Sequence, residues 1–282
     1  MTPADALLTN LGIAQKQQNR LLLTRAALLF FGREPQRLFP EAFVTCALYA
    51  DAIRATVLDR ADIIGTLEEQ FDAAIKFIRR NLRVGYKIEK AAPRKEVSEI
   101  PEPVFREAVL NALTHRDYFA GTEHIFVHIH PNRIEITNPG GLPYGLTIEE
   151  LGTRAVPRNR LIADMFYRMG YVERLGSGIH RMCEAMLEAK LPVPRLYPTA
   201  TAFRLELFKS FEDTGLSEEH AQVCQWLINN SPASISDLMK GLGISKATAH
   251  RRVSKLVADG WVEVFGSGPR TAYQMKIKPS MG

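Results

Sequence analysis

Within PEPVFREAVLNALTHRDY, residues 101–118, three polar side chains have types and spacing suited to chemistry: Glu107, Asn111 and His115. They fall at i, i+4 and i+8, so a helix would stack them in one row beside the apolar stripe Phe105, Ala108, Val109, Ala112 and Leu113. A carboxylate one turn from a carboxamide, held against a core by its own helix, is an arrangement that a magnesium-nucleotide site could use. An ordinary polar helix edge has the same pattern, so the row gains meaning only from what the rest of the chain brings to it.

Two later glycine segments are the first candidates for company. Ile136-Thr137-Asn138-Pro139-Gly140-Gly141 runs from a strand into a loop, and Gly176-Ser177-Gly178 opens a helix from Ile179 to about Lys190. By themselves both are turn and helix-start chemistry. The strand belongs to a hairpin over His124–Ile136, in which Ile125, Val127 and Ile129 face a core. His124, Phe126, His128 and His130 take the other face, where scattered imidazoles fit a partly solvated surface better than a metal site. Further helices are expected from Thr147, capped by that threonine with Glu150 three residues on, and from about Asn159 to Arg168. A last strand is expected over Thr201–Phe208.

Upstream, LLLTRAALLFF reads as a helix ending near Gly32. Strands over Phe43–Asp51 and Ala55–Leu58 follow, then a helix over Thr66–Leu82 and a proline-rich connector over 91–103. The expected fold class is α+β: an N-terminal α/β arm over 1–90, a central sandwich with helices on one face of a mixed sheet over 91–210, and a third unit over 211–282.

That third unit has its own pattern. Leu216–Ile228, Ser234–Leu242 and Ser245–Asp259 read as helices. Trp261–Phe265 and Thr271–Met275 flank Gly266-Ser267-Gly268-Pro269 as a hairpin, which together make a winged helix-turn-helix. On its third helix Ala249, Val253 and Leu256 pack inward, and Thr248, Arg251 and Lys255 lie opposite. Lys246, His250 and Arg252 flank that row, and Arg270 sits at the wing tip, which suits phosphate or groove contacts to double-stranded DNA. From residue 216 onward there are 8 Lys and Arg against 5 Asp and Glu, a balance of 8 − 5 = +3.

The whole chain of 282 residues carries a formal charge of +5, which favours an anionic partner without naming one. No apolar run is long enough to span a membrane and no signal-peptide pattern opens the chain, so a cytoplasmic protein is expected. The three cysteines, Cys46, Cys183 and Cys224, match no paired metal or redox spacing and are expected to be inert thiols.

Glu107-x-x-x-Asn111, the Asn138–Gly141 loop and Gly176–Gly178 occur in the order of the conserved boxes of the GHKL ATPase superfamily of gyrase, a heat-shock chaperone, histidine kinases and MutL. Through EAVLNALTHRDY, IEITNPGGLP and RNRLIADMFYRMGYVERLGSGI, residues 20–275 more closely resemble RecG-related transcriptional regulators. These have a divergent GHKL-like domain preceded by a Schlafen-type AlbA domain and often followed by a helix-turn-helix. TRAALLFFGREPQRLFP resembles the tail of that AlbA region, so the chain reads as a fragment or a shortened member.

The resemblance implies ATP and magnesium as ligands. Glu107 would be the general base, Asn111 the magnesium ligand through the nucleotide phosphates, and Asn138 the acceptor for the adenine amino group, in place of the usual aspartate. Gly140 and Gly141 would admit the base, Gly176, Ser177 and Gly178 the phosphates, with Arg158 and Asn159 as lid contacts and His115 beside the magnesium ligand. The chain departs from the superfamily in lacking Asp-x-Gly-x-Gly and a long glycine-rich lid, and it lacks the phosphate loop of a helicase motor. The expectation is a homodimeric DNA-binding regulator whose central domain senses a nucleotide or retains a degenerate pocket. Whether it is an enzyme stays open. The alternatives are a slow magnesium-dependent ATPase of DNA repair or remodelling, and an interaction scaffold.

Overall fold

A computed structural model describes residues 3–18, 20–87, 95–148, 150–154, 156–171 and 178–281. Helix α1 (Pro3–Asn10) leads into a hairpin of β1 (Ala14–Gln17) and β2 (Arg20–Leu23), then α2 (Arg25–Phe31). The leucines expected to begin a helix are therefore a strand. Thr24, in an extended conformation, accepts a hydrogen bond from the Ala27 N–H at 3.3 Å and starts the helix only at Arg25. Strands β3 (Val44–Tyr49) and β4 (Val57–Ile63) precede α3 (Leu67–Asn81), whose Thr66–Glu69 capping box is complete. A two-stranded ribbon, β5 (Val84–Lys87) with β6 (Lys95–Ser98), leads to α4 (Glu102–His115).

After α4 come β7 (Ile125–Ile129), β8 (Arg133–Pro139), α5 (Arg160–Arg168), α6 (Gly178–Glu188), β9 (Arg195–Pro198) and β10 (Ala202–Phe208). Then follow α7 (Glu218–Asn230), α8 (Ile235–Leu242), α9 (Lys246–Ala258), β11 (Val262–Phe265), β12 (Ala272–Met275) and the short β13 (Ser280–Met281). Among the described residues no helix forms from Thr147. The Thr147 N–H does donate to Glu150 Oε2 at 3.0 Å, but left-handed glycines at 145 and 152 bracket the segment and leave only turns.

Seven strands form one mixed sheet in the order β13-β9-β10-β8-β7-β3-β4, with β3 parallel to β7 and β13 parallel to β9. The fold class is α+β, and the segment expected to be a separate arm supplies two of those strands. Val44 pairs with Ile125 and Cys46 with Val127, and one apolar core runs from Ile13 through Phe71, Leu113 and Ile136 to Leu207. Residues on either side of position 90 thus share one core, because α3 packs on β7 and α4 as well as on β3 and β4. A second core, from Phe211 to Met275, belongs to the winged helix. Among the described residues no helix is long and apolar enough to cross a membrane.

The sheet face opposite the helices is better covered than its histidines suggested. His130 is fully buried and His128 nearly so, because Tyr49 on the neighbouring strand stacks on His130 at 5.2 Å and meets His128 edge-on at 5.3 Å. Glu135 on the same face is only 2% exposed. Burial works against its charge, but His128, Arg54, Arg204 and Arg133 outweigh that and hold the carboxyl down at about 2. His128 Nδ1 stands 3.9 Å from Glu135, too far for a hydrogen bond, so its contribution is electrostatic.

Candidate functional site: a cavity beneath the central helix

Helix α4 is amphipathic in the expected sense. Phe105, Ala108, Val109, Ala112 and Leu113 are buried, while Glu107, Asn111 and His115 are only partly so. Their row lies along a cavity of about 420 Å³, a size typical of small-ligand sites. Asn138 and Ile136 of β8 and Leu205 of β10 contribute from the sheet, and Gly141 from the loop after β8. Gly178 at the start of α6 closes one side, and Leu142, Leu146, Leu151 and Val156 from the segments before α5, together with α5 itself, close another. Glu107, Asn111, His115, Asn138, Gly141 and Gly178, spread over some seventy positions of sequence, are therefore brought to one space.

Asn111 Nδ2 donates to Glu107 Oε1 at 3.2 Å, leaving the amide oxygen to serve a cation or a donor. Burial raises the Glu107 carboxyl above its ordinary range, against the lowering pull of Arg181 and Asn111. Arg181 Nη2 lies 3.6 Å from Glu107 Oε2, longer than a charge-assisted hydrogen bond. A Cβ at Gly178 would meet the Glu107 carboxylate and push that flexible side chain aside. Burial, aided by Arg158, depresses the His115 imidazole to about 4, so it is neutral near pH 7.

Other expected contacts take different places. Arg158 does not line the cavity; its guanidinium donates to the carbonyls of His115 at 3.0 Å and Gly141 at 2.8 Å. Asn159 likewise donates to the carbonyls of Thr114 at 2.8 Å and Arg116 at 2.7 Å. Both tie the end of α4, whose last carbonyls lack helical partners, to the segment after the turns. Gly140 also lies outside the lining: its φ of +97° makes the turn, and its N–H donates to Thr201 at 2.6 Å. Gly176 and Ser177 lie outside the described residues.

Sequence reading missed Arg154, Asp164, Tyr167 and Arg181, all of which line the cavity. The one available signal was Asp164, a charge beside the apolar positions Leu161, Ile162, Met165 and Phe166 of its helix.

Two stability results follow. Arg158→Ala, which strands two carbonyls that receive charged donors, is expected to cost about 2 to 3 kcal/mol in denaturant unfolding. Acid should unfold the protein in two stages. His115 is protonated in the unfolded chain below about 6.5 but in the fold only below about 4, so stability falls as pH drops between those values. Glu135, depressed to about 2 from 4.5, supports the fold above 4.5, and that support is lost as pH falls toward 2. Each stage is worth roughly 3 kcal/mol, and His115→Asn and Glu135→Gln should each flatten only its own stage in melts across pH.

In the C-terminal unit α8, the turn at Gly243 and α9 form a helix-turn-helix, and β11 and β12 form the wing. Lys246, His250, Arg251, Ser254 and Lys255 are exposed along α9, and Arg270 is exposed at the wing tip. Two expected contacts are otherwise engaged. Arg252 pairs with Glu219 of α7 at 3.0 Å with its side chain only 11% exposed, and the Thr248 hydroxyl lies 2.9 Å from that of Ser245 in the helix cap. Lys255 pairs with Asp259 at 2.9 Å, but in the open, where such a pair is weak and exchangeable. Cys46, Cys183 and Cys224 are buried free thiols, each pushed by burial up to about 12.

Comparison with known proteins agrees with this architecture. Residues 122–207 match the family model described as "Putative ATP-dependent DNA helicase recG C-terminal", and residues 214–268 match the MarR family. No curated protein matches the chain. The crystal structure of the DIP2311 protein from Corynebacterium diphtheriae has the same fold, with a TM-score of 0.65 and 20% identity. The match covers 98% of this chain and 58% of that one, so the chain spans little more than half the length of that protein.

Proposed function

We propose that this chain, which joins a RecG C-terminal-like domain to a MarR-family winged helix, is a DNA-binding transcriptional regulator whose central cavity takes a magnesium nucleotide. The observation that carries the nucleotide part is the convergence of Glu107, Asn111, Asn138, Gly141 and Gly178 on one cavity. Asn111 would hold magnesium against the phosphates through its free oxygen, and Asn138, on the sheet side, would accept from the base. Arg154 and Arg181 would balance phosphate charge. The site would work in the cytoplasm, where both ligands are found.

A physical link joins the cavity to the DNA-reading unit. Leu196 of β9 lines the cavity, and the same strand pairs with β13, which follows the wing; Arg195 beside it lies 5.6 Å over the Trp261 ring of the winged helix. A nucleotide that shifts β9 therefore acts on the winged helix directly, and in a homodimer it would set the spacing of two recognition helices on a two-fold operator.

Fluorescence anisotropy on labelled double-stranded DNA, with and without magnesium ATP, tests this. Nucleotide is expected to change DNA affinity by about 5-fold or more, the usual range of coupling between sites. Equal affinities in both conditions would refute sensing while leaving DNA binding in place.

A second reading, a slow ATPase, is favoured by the buried Glu107 carboxylate packed against Gly178. A carboxyl with raised proton affinity is a stronger base once ionised, so phosphate release that vanishes in Glu107→Gln would support it.

A further inference from the structure

A second cavity of about 300 Å³ lies between α3, α4 and α6 and shares Glu107, Leu110, Arg181 and Met182 with the first. Its walls are apolar and aromatic: Phe71 and Tyr171 meet edge to face at 5.1 Å, and Leu110 and Met182 are almost wholly buried. Among the described residues, Arg106 and Arg181 line it together with the carboxylate of Glu107. Arg106 sits 4.9 Å over the Phe71 ring and, among the described residues, its guanidinium makes no hydrogen bond or ion pair. The Arg106 nitrogens are not sealed from water, so its five N–H groups are open to a ligand, and they match a carboxylate fork. The Tyr171 hydroxyl is already spent on Glu68 at 3.0 Å, at the rim, where Asp72 is also exposed.

We propose that this second cavity binds a small carboxylate with a flat apolar body, its charge held between Arg106 and Arg181 and its body against Phe71, Tyr171 and Met182. The volume suits a one-ring acid and is at the lower end of ligand sites, too small for a nucleotide. Because Arg181 also faces Glu107, an acid that draws Arg181 toward itself removes the counter-charge from the first cavity. The two sites would then be coupled through one side chain. The proposal does not depend on nucleotide binding, since Arg106 does not line the first cavity.

Isothermal titration of the full chain with benzoate tests it without any nucleotide. Saturable binding is expected, weakened about tenfold or more in Arg106→Gln, as the loss of a charge-assisted hydrogen bond requires. Benzyl alcohol, which keeps the ring and lacks the charge, should bind at least as weakly as that variant binds benzoate. Ala185→Phe, which fills the cavity from α6, should remove binding and serves if Arg106→Gln does not fold. No saturable binding, or benzoate binding unchanged in both variants, would overturn the proposal. Inorganic phosphate competing as well as benzoate would overturn the assignment of the apolar body.

Discussion

Magnesium ATP at about a thousandfold excess over its dissociation constant is expected to stabilise the protein by about 4 kcal/mol, and Asn111→Ala should abolish that gain. The magnitude follows from mass action alone, since a ligand that binds only the folded state adds RT ln(1 + [L]/Kd). The choice of residue follows from geometry. Asn111 spends its amide N–H on Glu107, and its oxygen is the neutral ligand on the row that faces the cavity. Alanine keeps the helix, because Asn111 sits mid-helix where alanine is the better former. The melting temperature of the variant without ATP should therefore match or exceed that of the parent. A shift of equal size in parent and variant would remove Asn111 from the metal site, and no shift in the parent at millimolar ATP would mean that the cavity takes no nucleotide. Gly178→Ala offers an independent control, since its added methyl would displace Glu107 and alter the cavity wall from α6.

The second large effect is on DNA. Arg251→Ala with Lys255→Ala should lower affinity for duplex DNA by roughly ten- to a hundredfold at moderate salt. It should also reduce the slope of log affinity against log salt by about 1.8, or 0.9 for each phosphate contact. Both side chains are exposed on α9, and Lys255 gives up only an open pair with Asp259 to reach a phosphate. Arg252→Ala is a telling contrast. Its guanidinium is held by Glu219 and mostly buried, so that variant should lose stability of the winged helix while its salt slope stays at the parent value. Anisotropy titrations at four salt concentrations would separate the two. An unchanged slope in the double variant would take α9 out of the DNA interface.

The difference between Arg251 and Arg252 shows what sequence could and could not reveal. Helical periodicity put Arg251 opposite the packed side of α9 and Arg252 on its flank, and both were expected to be free for DNA. Only the position of Glu219, thirty-three residues earlier on α7, decided that one of them was occupied. Arg158 and Asn159 repeat the lesson at the cavity. Their types suit phosphate, but the carbonyls left open at the end of α4 needed donors, and these two side chains supplied them. Arg181 escaped notice for the complementary reason: nothing in its own helix marks it, and its meaning comes from Glu107, seventy-four positions away, across the α4–α6 contact.

The N-terminal strands followed the same logic. β-Branched and aromatic content identified β3, but no local pattern says which strand it will pair with. Its parallel partner β7 begins about eighty residues further on, beyond β4, two helices and a ribbon. The short β9 and β13 carry too few residues for periodicity to register; β9 covers the edge of β10, and β13 in turn part of the edge of β9.

The sequence by itself therefore determined the row on α4, the strand-to-loop glycines, the helix-turn-helix and its wing, because each depends on contacts between residues a few positions apart. Tertiary structure alone decided that Glu107, Asn111, Asn138, Gly141 and Gly178 share one space, that the N-terminal strands complete its sheet, and which arginines are spent on carbonyls or carboxylates elsewhere in the fold. Those outcomes depend on pairings over tens of residues, where charges and carbonyls that are silent in the local pattern compete for the same side chains.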